Sequence, residues 1–312
     1  MTPGSWNPYI VRTLLYYDIF EHPLTADELF HLLPRNSITK RSFLELLGTL
    51  TGSGSIHGER GYYSIPHEGA DLAGLRIRRE RLARRRFPIA SLMAHVIKRF
   101  PFVRGIFISG DLSKGVANPK SDIDYVVVTV PGRLWICRML LVAFKKVFLL
   151  NSKKYFCLNY YLDSDHLVLD DRNYYTATEI AHLKPLFNSA LYLKYMNANS
   201  WIKGFFPNYR ISALRSAPPN NRRSVLQSLL ELPFKGKWAD RLDARLMEFM
   251  KRVWRKRYPG VDEATRDHVF RCSISESRAY VGNFSGKVLS IYRRKLEAYS
   301  LPAELTKGES PA

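Results

Sequence analysis

The sequence predicts an α+β protein: a mixed sheet with flanking helices, a small helical module in front of it and a helical region behind. Three observations carry this. Residues 106–128 read IFISGDLSKGVANPKSDIDYVVV, two apolar strands joined by a glycine-bearing turn and a polar loop. The first seventy residues hold three short helix-periodic runs and then a hairpin. After Asp171 the apolar residues recur at helical spacing almost to the end.

Taken in order, Tyr9 to Phe20 reads as an apolar-rich helix broken by His22-Pro23. Thr25 to Glu28 forms a capping box that opens a second helix ending at Pro34. Thr39 starts a third, with Phe43, Leu46, Leu47 and Leu50 on one face, stopped by Gly52-Ser53-Gly54. Residues 56–65 place two short strands around a glycine turn. This order, over residues 1–70, resembles a winged helix, a helix-turn-helix variant. A DNA-reading version needs a basic third helix, whereas this one offers Lys40 and Arg41 and then Glu45. A structural or protein-contacting wing is the favoured reading.

Residues 71–100 read as basic linker helices, split at Pro88 into 72–86 and 90–99. Residues 101–172 hold the predicted sheet. Leu134 to Leu150 reads as a basic amphipathic helix packed on it, and Tyr155 to Asp163 as the next strand. Residues 173–300 form the helical region, opened by a capping box at Thr176 to Glu179, with a loop over 211–223 and a break at Pro233. Residues 301–312 read as a frayed tail.

The chemistry concentrates in 109–124. Strand alternation projects Asp122 and Asp124 to one side, while Ile123 and Tyr125 turn to the other. Two adjacent carboxylates suit a hard divalent cation. A glycine turn from Gly110 to Gly115 can bring backbone N–H groups to a phosphate.

These residues resemble the nucleotidyltransferase superfamily that includes DNA polymerase beta and the minimal nucleotidyltransferases. Ile106-Phe107-Ile108 is the apolar lead-in, Gly110 the glycine, and Asp122-Ile123-Asp124-Tyr125 the metal motif; Leu112, Lys114, Gly115 and Ser121 also fit. The resemblance covers roughly residues 100–170. It implies a nucleotidyltransferase-type mixed sheet and transfer of a nucleoside monophosphate from a nucleoside triphosphate to an unidentified acceptor. Asp122 and Asp124 would hold Mg²⁺ or Mn²⁺. Gly110, Ser113, Gly115 and the Asp111 N–H would cradle phosphates, Lys114 would neutralise charge, and Ser121 would fix the loop.

Two positions depart from the pattern. Asp111 stands where the family has Ser or Gly, so either its side chain turns outward or it weakens the phosphate site by repulsion. The family's third carboxylate falls in register on Asn159, with Asp163 as a substitute unless it only ends the strand in a turn. A nucleotide-binding pseudoenzyme and a winged-helix DNA-binding regulator are therefore the alternative readings.

The net charge of +20 favours anionic partners: nucleotide, nucleic acid or an acidic surface. Arg76–Arg86, Lys251–Arg257 and Arg293–Lys295 each read singly as a solvated helix face, and together predict contact with a polyanion through the basic helices. Cys137, Cys157 and Cys272 lack metal or disulfide spacing, the first residues lack a signal pattern, and no apolar run has membrane-spanning length. A reduced, cytoplasmic protein is expected. Walker, G-x-S-x-G and H-E-x-x-H patterns do not occur, which removes P-loop, serine-hydrolase and zinc-protease readings.

Overall fold

The computed structural model describes residues 7–34, 38–152, 154–211, 225–260, 270–278 and 283–302. The expected loop at 211–223 and the tail beyond 302 lie almost wholly outside these residues. Among them no helix is long and apolar enough to cross a membrane.

The protein is mixed α and β. It begins with α1 (Asn7–Asp18), β1 (Leu24–Thr25), α2 (Ala26–His31), α3 (Lys40–Gly52), β2 (His57–Glu59) and β3 (Tyr62–Ser64). The capping box is present: Thr25 Oγ1 accepts from Glu28 N at 3.2 Å while Thr25 N donates to the Glu28 carboxylate at 2.9 Å. The β2–β3 hairpin turns through Arg60 and Gly61, both left-handed (φ 53° and 81°), the twist that suits a two-residue turn. The two-residue strand β1 pairs with β3 to give the order β1-β3-β2.

Next come α4 (Leu72–Ile97), β4 (Val103–Ser109), α5 (Gly110–Ser113), β5 (Asp124–Thr129), α6 (Leu134–Phe148) and β6 (Cys157–Asp163). The expected break at Pro88 is corrected: α4 is one helix through that residue. Pro88 and Arg84 are exposed, so the carbonyl that loses its intrahelical donor faces water.

The remainder is α7 (Tyr174–His182), β7 (Lys184–Phe187), α8 (Ser189–Ala198), α9 (Val225–Glu231), α10 (Lys237–Arg257), β8 (Glu276–Arg278) and α11 (Phe284–Ala298). A short 3₁₀ turn at Leu232–Phe234 marks the expected break at Pro233. The capping box expected at Thr176 is corrected too: Asn173 caps α7, accepting from Thr176 N at 2.9 Å, and this frees the Glu179 side chain.

The central sheet has the order β7-β4-β5-β6-β8, with β5 and β6 parallel and the other pairs antiparallel. Both of its edge strands come from the region read as helical, because strands of three or four residues are too short to show alternation. One face, with Phe107, Val126, Val128, Tyr160 and Leu162, packs on α1, α7, α8 and α11. The other, with Ile106, Ile108, Tyr125, Val127 and Tyr161, packs on α4, α6 and α10. The result is helix, sheet, helix, with the Ser109 end of β4 and the Asp124 end of β5 meeting at one end of the sheet.

Candidate active site

Ser109 pairs with Asp124 across β4 and β5, so the glycine turn and the carboxylate motif meet at one end of the sheet. Gly110 is left-handed (φ +66°), and a Cβ there would sit 2.8 Å from Asp124 Oδ2. Both facts favour glycine. Alternation puts Asp124 on the α7 side of the sheet with Val126, and Ile123 in the opposite core.

The cleft above this end measures about 320 Å³. Its floor is Ser109, Gly110, Asp111 and Asp124; its walls come from α1, α4, α7 and α11 and from Arg278 on β8. Burial pushes the Asp124 carboxyl up to about 6, and the charges of Asp122, Glu179 and Asp111 push the same way against a hydrogen bond from Cys157. Three carboxylates thus act on a fourth.

Asp111 does not turn wholly outward. It lines the cleft, with its carboxylate held by Asn118 Nδ2 at 3.1 Å. Asn118 is the hub of the loop: its Oδ1 accepts from Arg79 Nε at 2.9 Å, and its backbone N–H donates to Ser121 Oγ at 2.7 Å. Ser121 Oγ in turn donates to the Asn118 carbonyl at 2.9 Å, so Ser121 ties the loop that carries Asp122. Arg86 locks the same loop by donating to the Ser121 and Pro119 carbonyls at 2.7 and 2.8 Å.

Lys114 lines the cleft and pairs with Glu179 at 2.7 Å. Ser113 and Gly115 are corrections. The Ser113 side chain is buried and donates to the Gly110 carbonyl at 2.8 Å, and Gly115 N donates to the Leu112 carbonyl at 3.1 Å. Both close the turn and neither is a cleft-lining residue.

The third strand also differs from expectation. The β5–β6 register shifts between Asp124 and Val126, placing Cys157 opposite Asp124. Asn159, two residues beyond Cys157 on β6, donates to Cys157 Sγ at 2.9 Å. Asp163 lies at the other end of β6, opposite Thr129. It is a turn residue, its Oδ1 accepting from the backbone N–H groups of Asp165 and His166 at 3.0 and 2.9 Å. Burial, and then the charge of Asp124, raise the Cys157 thiol above its usual range.

Residues that local reading missed complete the cleft. Glu179 comes from α7, Arg278 from β8 pairs with Asp171 at 2.9 Å, and Tyr17, Phe20 and His22 come from the N-terminal module. No local signal marks Glu179, because only the fold brings it to Asp124. His22 is buried and held neutral by burial and by Arg76, whose Nη1 donates to it at 2.5 Å. The densest basic run is partly internal: Arg76 pairs with Glu28 and Glu80, while Arg79 and Arg86 hold the loop.

Among the described residues no three His, Cys, Asp or Glu side chains are already gathered as a metal site. The donors still fit Mg²⁺, which takes one or two carboxylates and draws its remaining ligands from phosphate and water. Comparison of the chain with protein-family models, with curated proteins and with solved structures gives no match.

Proposed function

We propose that the protein is a metal-dependent nucleotidyltransferase that moves a nucleoside monophosphate from a nucleoside triphosphate to an acceptor hydroxyl, releasing pyrophosphate. The observation that carries this reading is the Asp124 carboxylate packed on left-handed Gly110 at the mouth of the sheet, with Asp122, Asp111 and Glu179 acting on it. Crowded carboxylates of this kind are costly unless a cation is shared among them.

Asp122 and Asp124 are the residues that would hold the metal. A divalent cation held there would neutralise the carboxylates and supply positive charge to the reacting phosphoryl group. Gly110 lets the triphosphate approach the backbone. Lys114 and Arg278, which line the cleft with Arg79, would meet phosphate charge. Asn118 restrains Asp111, limiting its repulsion of a bound phosphate. Glu179 supplies a third carboxylate from a helix, where the family pattern expects one on the third strand.

The presence of Cys157 at that strand position favours one second reading, a protein that binds nucleotide without turnover. The N-terminal module fits a structural, winged-helix-like role better than DNA reading. Lys40 and Arg41 pair with Asp27 and Glu45, while the module lends Tyr17, Phe20 and His22 to the cleft. The test is isothermal titration with each of the four ribonucleoside triphosphates, with and without Mg²⁺, beside Asp122→Asn/Asp124→Asn. Mg²⁺-dependent binding lost in the variant is the expected result. Binding that ignores both metal and variant removes the proposal, and binding without pyrophosphate release on any acceptor selects the second reading.

A further inference from the structure

The C-terminal tip of α6 exposes an apolar cluster that the catalytic reading does not use. Val147, Phe148 and Leu150 are 68%, 70% and 90% exposed within four residues. Scattered exposed apolar side chains are ordinary, but three at one convex tip are not. The tip is a built turn: Leu149 N and Asn151 N both donate to the Lys145 carbonyl, at 3.1 and 3.0 Å. Leu150 and Asn151 are left-handed (φ 47° and 60°), a conformation that costs a leucine about 1 kcal/mol. Phe148 rests on Phe144, whose ring centre lies 5.0 Å away, and turns its remaining surface to solvent.

The surroundings are basic. From residue 125 to 162 the sequence contains no Asp or Glu; Arg138 is buried and Arg133 pairs with Asp240 at the other end of α6, which leaves Lys145, Lys146 and Lys154 toward the tip. Lys146 and Lys154 are exposed at the tip. The carbonyl of Lys154 accepts from Ile123 N at 3.0 Å, so the tip adjoins the loop that bears Asp122. Exposed Lys120 stands on that loop, and exposed Arg84 and Arg85 flank Arg86, which holds it.

We propose that this face is a membrane-docking surface, in which Val147, Phe148 and Leu150 enter an anionic bilayer while the surrounding Lys and Arg side chains meet its headgroups. Two features favour lipid over nucleic acid. Of the three side chains only Phe148 offers a ring on which a base can stack, while Val147 and Leu150 offer none, and an apolar point flanked by cations is the pattern of interfacial anchors. Docking would set the Asp122–Asp124 end of the sheet beside the bilayer. The inference does not depend on the transferase reading.

The experiment is flotation of the full chain with phosphatidylcholine vesicles, with and without phosphatidylglycerol, at low and high salt. The wild type should float with the anionic vesicles, and salt should weaken it. Phe148→Ser/Leu150→Ser should cut binding at least about tenfold, and Lys146→Glu/Lys154→Glu by about fivefold or more per charge. All four positions are exposed, and circular dichroism should show unchanged folds. Failure to float with anionic vesicles, equal binding to neutral ones, or full binding by the Phe148→Ser/Leu150→Ser variant would overturn the proposal. So would tight binding to single-stranded polyuridylate that this variant retains while vesicle binding is absent.

Discussion

Replacing Asp124 by Asn should make the metal-free protein more stable while removing Mg²⁺-dependent nucleotide binding. Asp124 sits in a half-closed site with three other carboxylates acting on it, and its carboxyl is raised from 3.8 to about 6. At 25 °C that difference amounts to about 3 kcal/mol, a ceiling on what the charge costs the folded state. The sign follows from proton binding. Between pH 3.8 and about 6 the folded protein holds a proton that the unfolded chain has lost, so this residue's contribution to stability falls as pH rises through that window. Above it the cost is complete; below it both states are protonated and the cost vanishes. Urea unfolding should therefore show Asp124→Asn gaining about 1–3 kcal/mol at pH 7.5, with the gain shrinking toward zero near pH 4. Adding Mg²⁺ should stabilise the wild type and leave the variant unchanged. A variant less stable than wild type at pH 7.5, or a gain undiminished at pH 4, refutes the account of crowded carboxylates.

Further expectations follow from the same geometry. Gly110→Ala should lose about 1–2 kcal/mol in thermal or urea unfolding and weaken nucleotide binding, because φ is +66° and Asp124 Oδ2 lies where the methyl would go. Glu179→Gln should lower the pKa of Asp124, readable as an acid-side shift in the pH dependence of Mg²⁺ binding, and should reduce any transfer at least about tenfold. Arg86→Ala should cost about 2–3 kcal/mol by leaving the Pro119 and Ser121 carbonyls without their donor, and should loosen Mg²⁺ affinity through the Asp122 loop. Asp163→Asn should leave nucleotide binding unchanged in titration, since that residue closes a turn at the far end of β6.

Local signals marked the parts of this molecule that local physics determines. The strand, turn and strand from Ile106 to Val128, the Thr25 capping box and the Arg60-Gly61 hairpin each depend on residues only a few positions apart, and each stands where the pattern puts it. Gly110 beside Asp124 is legible for the same reason. What escaped depends on distant partners. β1, β7 and β8 are two to four residues long and exist because a neighbour offers an edge. Glu179 read as a helix cap because only tertiary packing sets it across from Lys114. Asn159 was displaced by a register shift in β6, and Asp163 lies at the far end of the same strand, where it closes a turn. Ser113 and Gly115 match the family pattern yet spend their hydrogen bonds on the turn.

The packing of the first helix against the last has a consequence for how the protein is made. Tyr292 Oη donates to the Arg12 carbonyl at 3.2 Å, and Lys295 pairs with Asp18 at 2.6 Å. The cleft takes residues from Tyr17 through Ser285. During synthesis the glycine turn and both aspartates leave the ribosome well before α11, and their enclosure waits until α11 has been translated. The nascent chain therefore carries these carboxylates uncovered from the translation of Asp124 until α11 follows, and the cleft closes only after that.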